Sequence, residues 1–167
     1  MKNFGAVLAV LASLGAALAA GACGYSNNLR VASRYPSVGI EIFGNDSFVR
    51  DIEVPLNNQM TLALRDISDA RLVEPSRADA FVRGRVISYT RRAGIRSPDN
   101  LLLETGVRIE VEAELFKRGS LEPVRRARAS STVGYTTDNL DNENSARNTA
   151  LHHVAEELIL TLFAPEE

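Results

Sequence analysis

The 167-residue chain has no tryptophan and a single cysteine, Cys23. One thiol cannot close an internal disulfide, so no covalent framework holds the fold. The value of Cys23 must lie in packing, reactivity or modification. Lysine is nearly missing as well, with only Lys2 and Lys117 among the 19 basic residues. Arginine supplies the rest, a planar fork for carboxylates and phosphates where lysine offers a point charge; a GC-rich genome accounts for the same bias. The formal charge of −2 gives no reason to expect a nucleic-acid partner.

Catalytic signatures are absent too. The chain has no G-x-S-x-G, H-E-x-x-H, P-loop, G-x-G-x-x-G or Cys/His cluster. Its carboxylates alternate with apolar residues or fall in turns. His152 and His153 are adjacent, so on a helix they point to different faces and cannot make an i, i+4 metal pair. No enzyme activity, metal or cofactor is expected, and no internal repeat is visible.

What is present begins at the N-terminus. Met1-Lys2-Asn3 is a short basic start, followed by an uncharged Ala/Leu-rich run from Phe4 to Ala22. That is the layout of a secretory signal. Gly21-Ala22 before Cys23 fits a lipoprotein signal, which makes Cys23 the expected lipidation site; Ala20 stands where such signals usually carry leucine. Ala20-Gly21-Ala22 also fits an A-x-A cleavage site, which would release a soluble protein, and the run is just long enough for a membrane helix. The expected division is a signal peptide over 1–22, a lipid-anchored tether over 23–37 and a single domain over 38–167.

Past the tether, Val38, Ile40 and Ile42 alternate with Gly39, Glu41 and Phe43, a strand ended by Gly44-Asn45-Asp46. Leu56, Met60, Ala63, Leu64 and Ile67 form one apolar stripe, predicting a helix from Pro55 to about Ile67. Leu72-Val73 suggests a short extended piece. Strands are predicted over 80–91, 105–117 and 124–135, the last two joined by the hairpin loop Arg118-Gly119-Ser120. A second helix, from about Ser145 to Phe163, carries Ala150, Leu151, Val154, Leu158 and Leu162 on one stripe.

The order β-α-β-β-β-α predicts an α+β two-layer sandwich: a four-stranded mixed sheet with two helices on one face. A first crossover would make the first strand parallel to a neighbour, and the next three would form an antiparallel meander. The other sheet face would be polar. The hairpin sets Glu112 against Arg126 and Glu110 against Arg128, and parity sets Arg83 against Glu112 and Arg85 against Glu110. This Arg–Glu–Arg ladder explains four arginines without any ligand. Ile87, Tyr89 and Phe116 break the polarity of that face and are candidates for a partner surface.

The stretch from Arg91 to Asn100 is a long connection with three arginines, followed by Leu101-Leu102-Leu103. Connections of this length are often functional. Guanidinium groups beside an apolar patch suit an amphiphile bearing phosphate or carboxylate groups.

The chain resembles the LptE family, the lipopolysaccharide-assembly lipoproteins of Gram-negative outer membranes. The resemblance rests on Ala22-Cys23-Gly24-Tyr25, the strand end Phe43-Gly44-Asn45 and the helix from Leu56 to Leu64. Arg77-Ala78-Asp79-Ala80, the two long strands about Gly119 and the terminal helix complete it. It implies a non-enzymatic protein anchored at the periplasmic side of the outer membrane. Such a protein plugs an LptD-like β-barrel, binds lipopolysaccharide and assists its transport to the outer leaflet. Charge and placement, not the family, make Arg83, Arg85, Arg91, Arg92 and Arg96 the candidate lipopolysaccharide-binding residues. The competing expectation is a periplasm-facing lipoprotein that regulates a cell-wall synthase.

Overall fold

In the computed structural model, residues 31–92, 94, 98–99, 104–139 and 141–165 are described. The leader, Cys23 and Arg96 lie outside them. Among the described residues, six strands and two α-helices follow in the order β1 (Ser37–Ile40), β2 (Gly44–Asn45), α1 (Glu53–Ile67), β3 (Arg71–Leu72), β4 (Ala80–Arg92), β5 (Glu104–Lys117), β6 (Pro123–Thr136) and α2 (Asp141–Phe163). The class is mixed α+β, as expected, but the sheet has more than four strands. The added ones are the two-residue strands β2 and β3, too short to show a period.

The sheet order is β3-β1-β4-β5-β6, with β2 also on β4. β1 runs parallel to both β3 and β4, while β4, β5 and β6 form the antiparallel meander. Val82, Val86, Val107, Ile109, Val111 and Ala113 line its buried face, and both helices join them in one core cluster. The partners are Leu56, Met60, Ala63 and Leu64 of α1 and Ala150, Leu151, Val154, Leu158 and Leu162 of α2, all buried. Those are the two stripes read from the sequence. Among the described residues no helix is long and apolar enough to cross a membrane.

Several local expectations are corrected. The first strand stops at Ile40, and the turn into β2 leaves Ile42 76% exposed while Phe43 is buried at 2%. Phe43 turns inward because β4 offers it the surface of Gly84, where a β-carbon would come within 2.4 Å of the ring. The residues just before β1 are also bound into the domain. Val31 N–H donates to the Ile67 carbonyl at 2.6 Å, and Ser33 N–H to Asp69 Oδ1 at 2.7 Å. Residues 31–37, assigned to a tether by composition, therefore carry backbone bonds that a free tether lacks.

Helix α1 starts at Glu53, so Pro55 lies within its first turn, where a missing N–H costs nothing. Helix α2 starts at Asp141, four residues before the first signal in the sequence. The Asn142 side-chain amide ties this start to the Thr136 carbonyl at 3.1 Å and to Asp138 at 2.9 Å.

Candidate functional site

β4 passes every candidate arginine that falls within the described residues, and its geometry decides what each can do. Up to Val86 it alternates as read, with Ala80, Val82 and Val86 inward and Arg83 and Arg85 outward. Val86 then faces Val111 while Ser88 faces Glu110, so Ile87 is an extra residue with no partner across the ladder. Such a bulge changes the phase of the strand. Ser88 and Thr90 turn outward, and Tyr89 and Arg91, opposite Ile109 and Val107, turn to the helix side. The expectation that Tyr89 lies on the polar face is overturned by this one residue. The candidates are split: Arg83 and Arg85 on the open face, Arg91 on the other.

The open face carries the expected ladder in a different register. Glu114 faces both Arg83 and Arg126, and Glu112 faces both Arg85 and Arg128, two residues along β5 from the expected pairing. The turn explains the shift on the β6 side. Gly119 adopts a positive φ of 79°, but Leu121 and Glu122 stay in the loop, and β6 begins only at Pro123. The Ser120 hydroxyl holds this loop, donating to the Glu122 carbonyl at 2.7 Å and accepting the Glu122 N–H at 3.2 Å. An even shift preserves the faces, so the polar surface survives.

Its ion pairs run partly along diagonals. Arg126 Nε reaches Glu114 at 2.7 Å and Arg128 Nε reaches Glu110 at 2.9 Å. Arg85 lies between Glu112 at 3.4 Å and Asp46 at 3.7 Å. Arg83 turns from Glu114 to Glu41, pairing through Nε at 2.7 Å and Nη2 at 3.2 Å. The hydrogen bond and charge of Glu41 raise the Arg83 guanidinium above its usual pKa. That guanidinium also stands 5.4 Å and 5.3 Å from the ring centres of Phe81 and Phe116, which stack at 5.2 Å. Phe116, marked as a candidate contact residue, is therefore on the polar face as expected, but buried there by Phe81 and Arg83.

At the far end of the sheet, on the helix side, Glu143 of α2 gathers three donors. Arg91 Nε donates at 2.8 Å and the Tyr89 hydroxyl at 3.0 Å to Oε1, while the Tyr135 hydroxyl donates at 3.0 Å to Oε2. Burial works to raise the Glu143 carboxyl. The bonds from Arg91, Tyr135 and Tyr89, with the Arg91 charge, outweigh it and hold the group below its ordinary value. The Tyr89 and Tyr135 phenols are pushed up by burial, then by the bond to Glu143 and its charge. Arg147, one turn along α2, acts on Tyr89 through its charge, and its buried Nε has no hydrogen-bond partner. The sequence hinted at neither Glu143 nor Tyr135 as a site, because nothing in their spacing relates them to β4.

Arg92, the next candidate, is exposed, and its carbonyl accepts from the Thr105 hydroxyl. His152 and His153 diverge as read: His152 faces Gln59 at 3.2 Å and Glu156 at 3.4 Å, His153 faces Ser131 at 3.4 Å. A cavity of about 420 Å³ lies where the lead-in to β1 meets the end of α2, lined by Tyr35, Leu115, Val124, Leu162 and Phe163. Beside it Arg125 donates from Nη1 to the Thr161 and Ala164 carbonyls at 3.1 Å and 2.5 Å, closing the C-terminus of α2.

No family model and no curated protein matches the chain. Solved structures do. Protein XCC0632 from Xanthomonas campestris, of the DUF330 family model, aligns at 15% identity and a TM-score of 0.56 over 82% of this chain and 88% of its own. A PelC dodecamer from Paraburkholderia phytofirmans, in a single-substitution variant, aligns at 20% identity and a TM-score of 0.52 over 81% and 92%. A minor lipoprotein from Acinetobacter baumannii follows at 18% identity and a TM-score of 0.47 over 78% and 94%. At these identities the likeness is one of fold: the chain has the α+β architecture of the Xanthomonas and Paraburkholderia proteins.

Proposed function

We propose that the protein is a non-enzymatic lipoprotein of the Gram-negative cell envelope, anchored through Cys23 at the periplasmic side of the outer membrane. There it binds lipopolysaccharide and supports its assembly as partner of an LptD-like β-barrel. The observation that carries this reading is the open sheet face. Arg83, Arg85, Arg126 and Arg128 lie on it, each beside a carboxylate and more than half exposed at the side chain. Such a face suits contact with a broad charged surface better than enclosure of a small substrate. The leader and its terminal cysteine support the location, and the resemblance to LptE supports the partner.

The test is a pull-down of the native protein from detergent-solubilised outer membranes. Recovery of a large β-barrel together with lipopolysaccharide supports the proposal. Recovery of a peptidoglycan synthase without a barrel favours the regulatory alternative and removes the barrel.

A second reading, a self-assembling subunit, is favoured by one observation. β6 is a 14-residue strand at the edge of the sheet, and long edges offer a template for another chain. The PelC structure of similar fold is a dodecamer. Light scattering on the purified mature protein separates the readings, since a stable ring excludes a lone barrel partner.

A further inference from the structure

We propose that Arg91, Tyr89, Tyr135 and Arg147 form a binding site for a phosphate monoester, and that Glu143 occupies it as a built-in competitor. The site lies on the opposite side of the sheet from the arginine–glutamate face and does not depend on the barrel reading. Three donors from β4 and β6 converge on one carboxylate, at 2.8, 3.0 and 3.0 Å. Arg91 pairs with that carboxylate, while a second guanidinium, Arg147, acts on Tyr89 through its charge and has a buried Nε with no hydrogen-bond partner. A carboxylate leaves this set one charge and one acceptor short. A phosphate monoester dianion supplies a second charge and a third terminal oxygen.

The resident group is placed to leave. Glu143 belongs to the first turn of α2, and the buried stripe begins only at Ala146. Residues 142–145 are themselves half-buried or exposed, so opening that turn withdraws none of the buried stripe of α2. A cavity of about 280 Å³ adjoins Tyr135, lined by Thr136, Asn142, Ser145 and Thr149, and gives the displaced side chain or the body of the ligand somewhere to go. Arg91, with 68% of its side chain exposed, gives the ligand its point of entry. The same chemistry serves a phosphorylated lipid headgroup and free phosphate.

The experiment uses the mature sequence with Cys23→Ser, which carries no lipid anchor of its own, titrates it with inorganic phosphate and, separately, floats it with phosphatidylcholine vesicles with and without phosphatidate. Glu143→Gln removes the competing charge. It should tighten binding by about tenfold or more, the scale of one charge-assisted hydrogen bond, and adding Arg91→Gln should abolish the gain. Response to phosphate assigns a site that free phosphate can fill; response only to phosphatidate vesicles assigns a lipid headgroup. No gain with either probe in folded Glu143→Gln, or a gain that survives Arg91→Gln, overturns the proposal. If Glu143→Gln does not fold, the protein with Glu143 intact decides. Stabilisation by phosphate against equal ionic strength of chloride, lost in Arg91→Gln, supports the site, and no stabilisation overturns it.

Discussion

The Phe43 ring lies against the backbone of Gly84. A β-carbon on Gly84 would stand 2.4 Å from Phe43 Cε1 and 2.3 Å from the Glu112 carbonyl oxygen. The contact joins the turn after β1 to the middle of β4, and it exists only because β4 has no side chain there. Gly84→Ala should therefore destabilise the domain by roughly 1–3 kcal/mol, the usual cost of overpacking. Urea unfolding measures it. Gly119→Ala serves as the contrast: nothing lies within 4 Å, so its cost comes from the positive φ of 79° alone.

Glu143 should make the protein acid-sensitive. Its folded-state pKa lies below the ordinary carboxylate value. Its contribution is then fully present above the unfolded pKa and is lost as pH falls through the folded one. The phenols work in the opposite sense. Tyr89 and Tyr135 are raised, so their contribution is complete below the ordinary phenol value and is lost as pH rises through their folded values. Thermal unfolding across pH should show both slopes. Glu143→Gln should flatten the acid slope and cost about 1–2 kcal/mol at neutral pH.

Arg83 and Arg85 should matter to binding far more than to folding. Exposed ion pairs contribute about 0–1 kcal/mol, so Arg83→Ala with Arg85→Ala should leave the urea midpoint almost unchanged. Lipopolysaccharide retention on the purified protein should fall. Equal retention removes the open face from the proposed function.

Replacing Arg91, Arg92 and Arg96 together by Glu is not a clean binding test. Arg91→Glu sets a second carboxylate against Glu143, so part of its effect is structural, on the order of 1–3 kcal/mol. Arg92→Glu changes an exposed side chain and should leave stability alone. Comparing the two single variants by circular dichroism and by lipopolysaccharide binding separates the roles.

Cys23→Ser tests the anchor. Loss of membrane association after leader removal is the expected result, read by fractionation and by intact mass. A processed protein that still fractionates with membranes removes lipidation as the anchor.

The sequence made long, strictly periodic elements legible and short or phase-shifted ones illegible. Leu56 to Ile67 and Ala150 to Leu162 announced two helices because burial on one side repeats every turn. β5 alternates from Val107 to Leu115 without a fault, so the polar face could be read before its register. The register could not, since Pro123 and the Ser120 hydroxyl decide where the hairpin closes. Arg83 and Arg85 were visible as outward residues, but their partners Glu41 and Asp46 come from the turn beside β2. Glu143 was hidden for a different reason: Asp141-Asn142-Glu143-Asn144 has no apolar period, and its helical turn is fixed by tertiary bonds. Tyr89 was noticed but placed on the wrong side, and Arg91 was read as the start of a connection, because composition carries no signal for a bulge.

That bulge has a consequence for how the gene can change. Ile87 acts as a frame change inside β4: residues before it are read in one phase and those after it in the other. Deleting that codon would straighten the strand yet leave Tyr89 and Arg91 facing Glu143, because the two phases would then join without a step. Restoring regular pairing while keeping Ile87 would turn both residues to solvent. The surplus residue thus changes which residue numbers point to each surface and not which surfaces the strand addresses, and β4 is longer than its ladder requires by that residue.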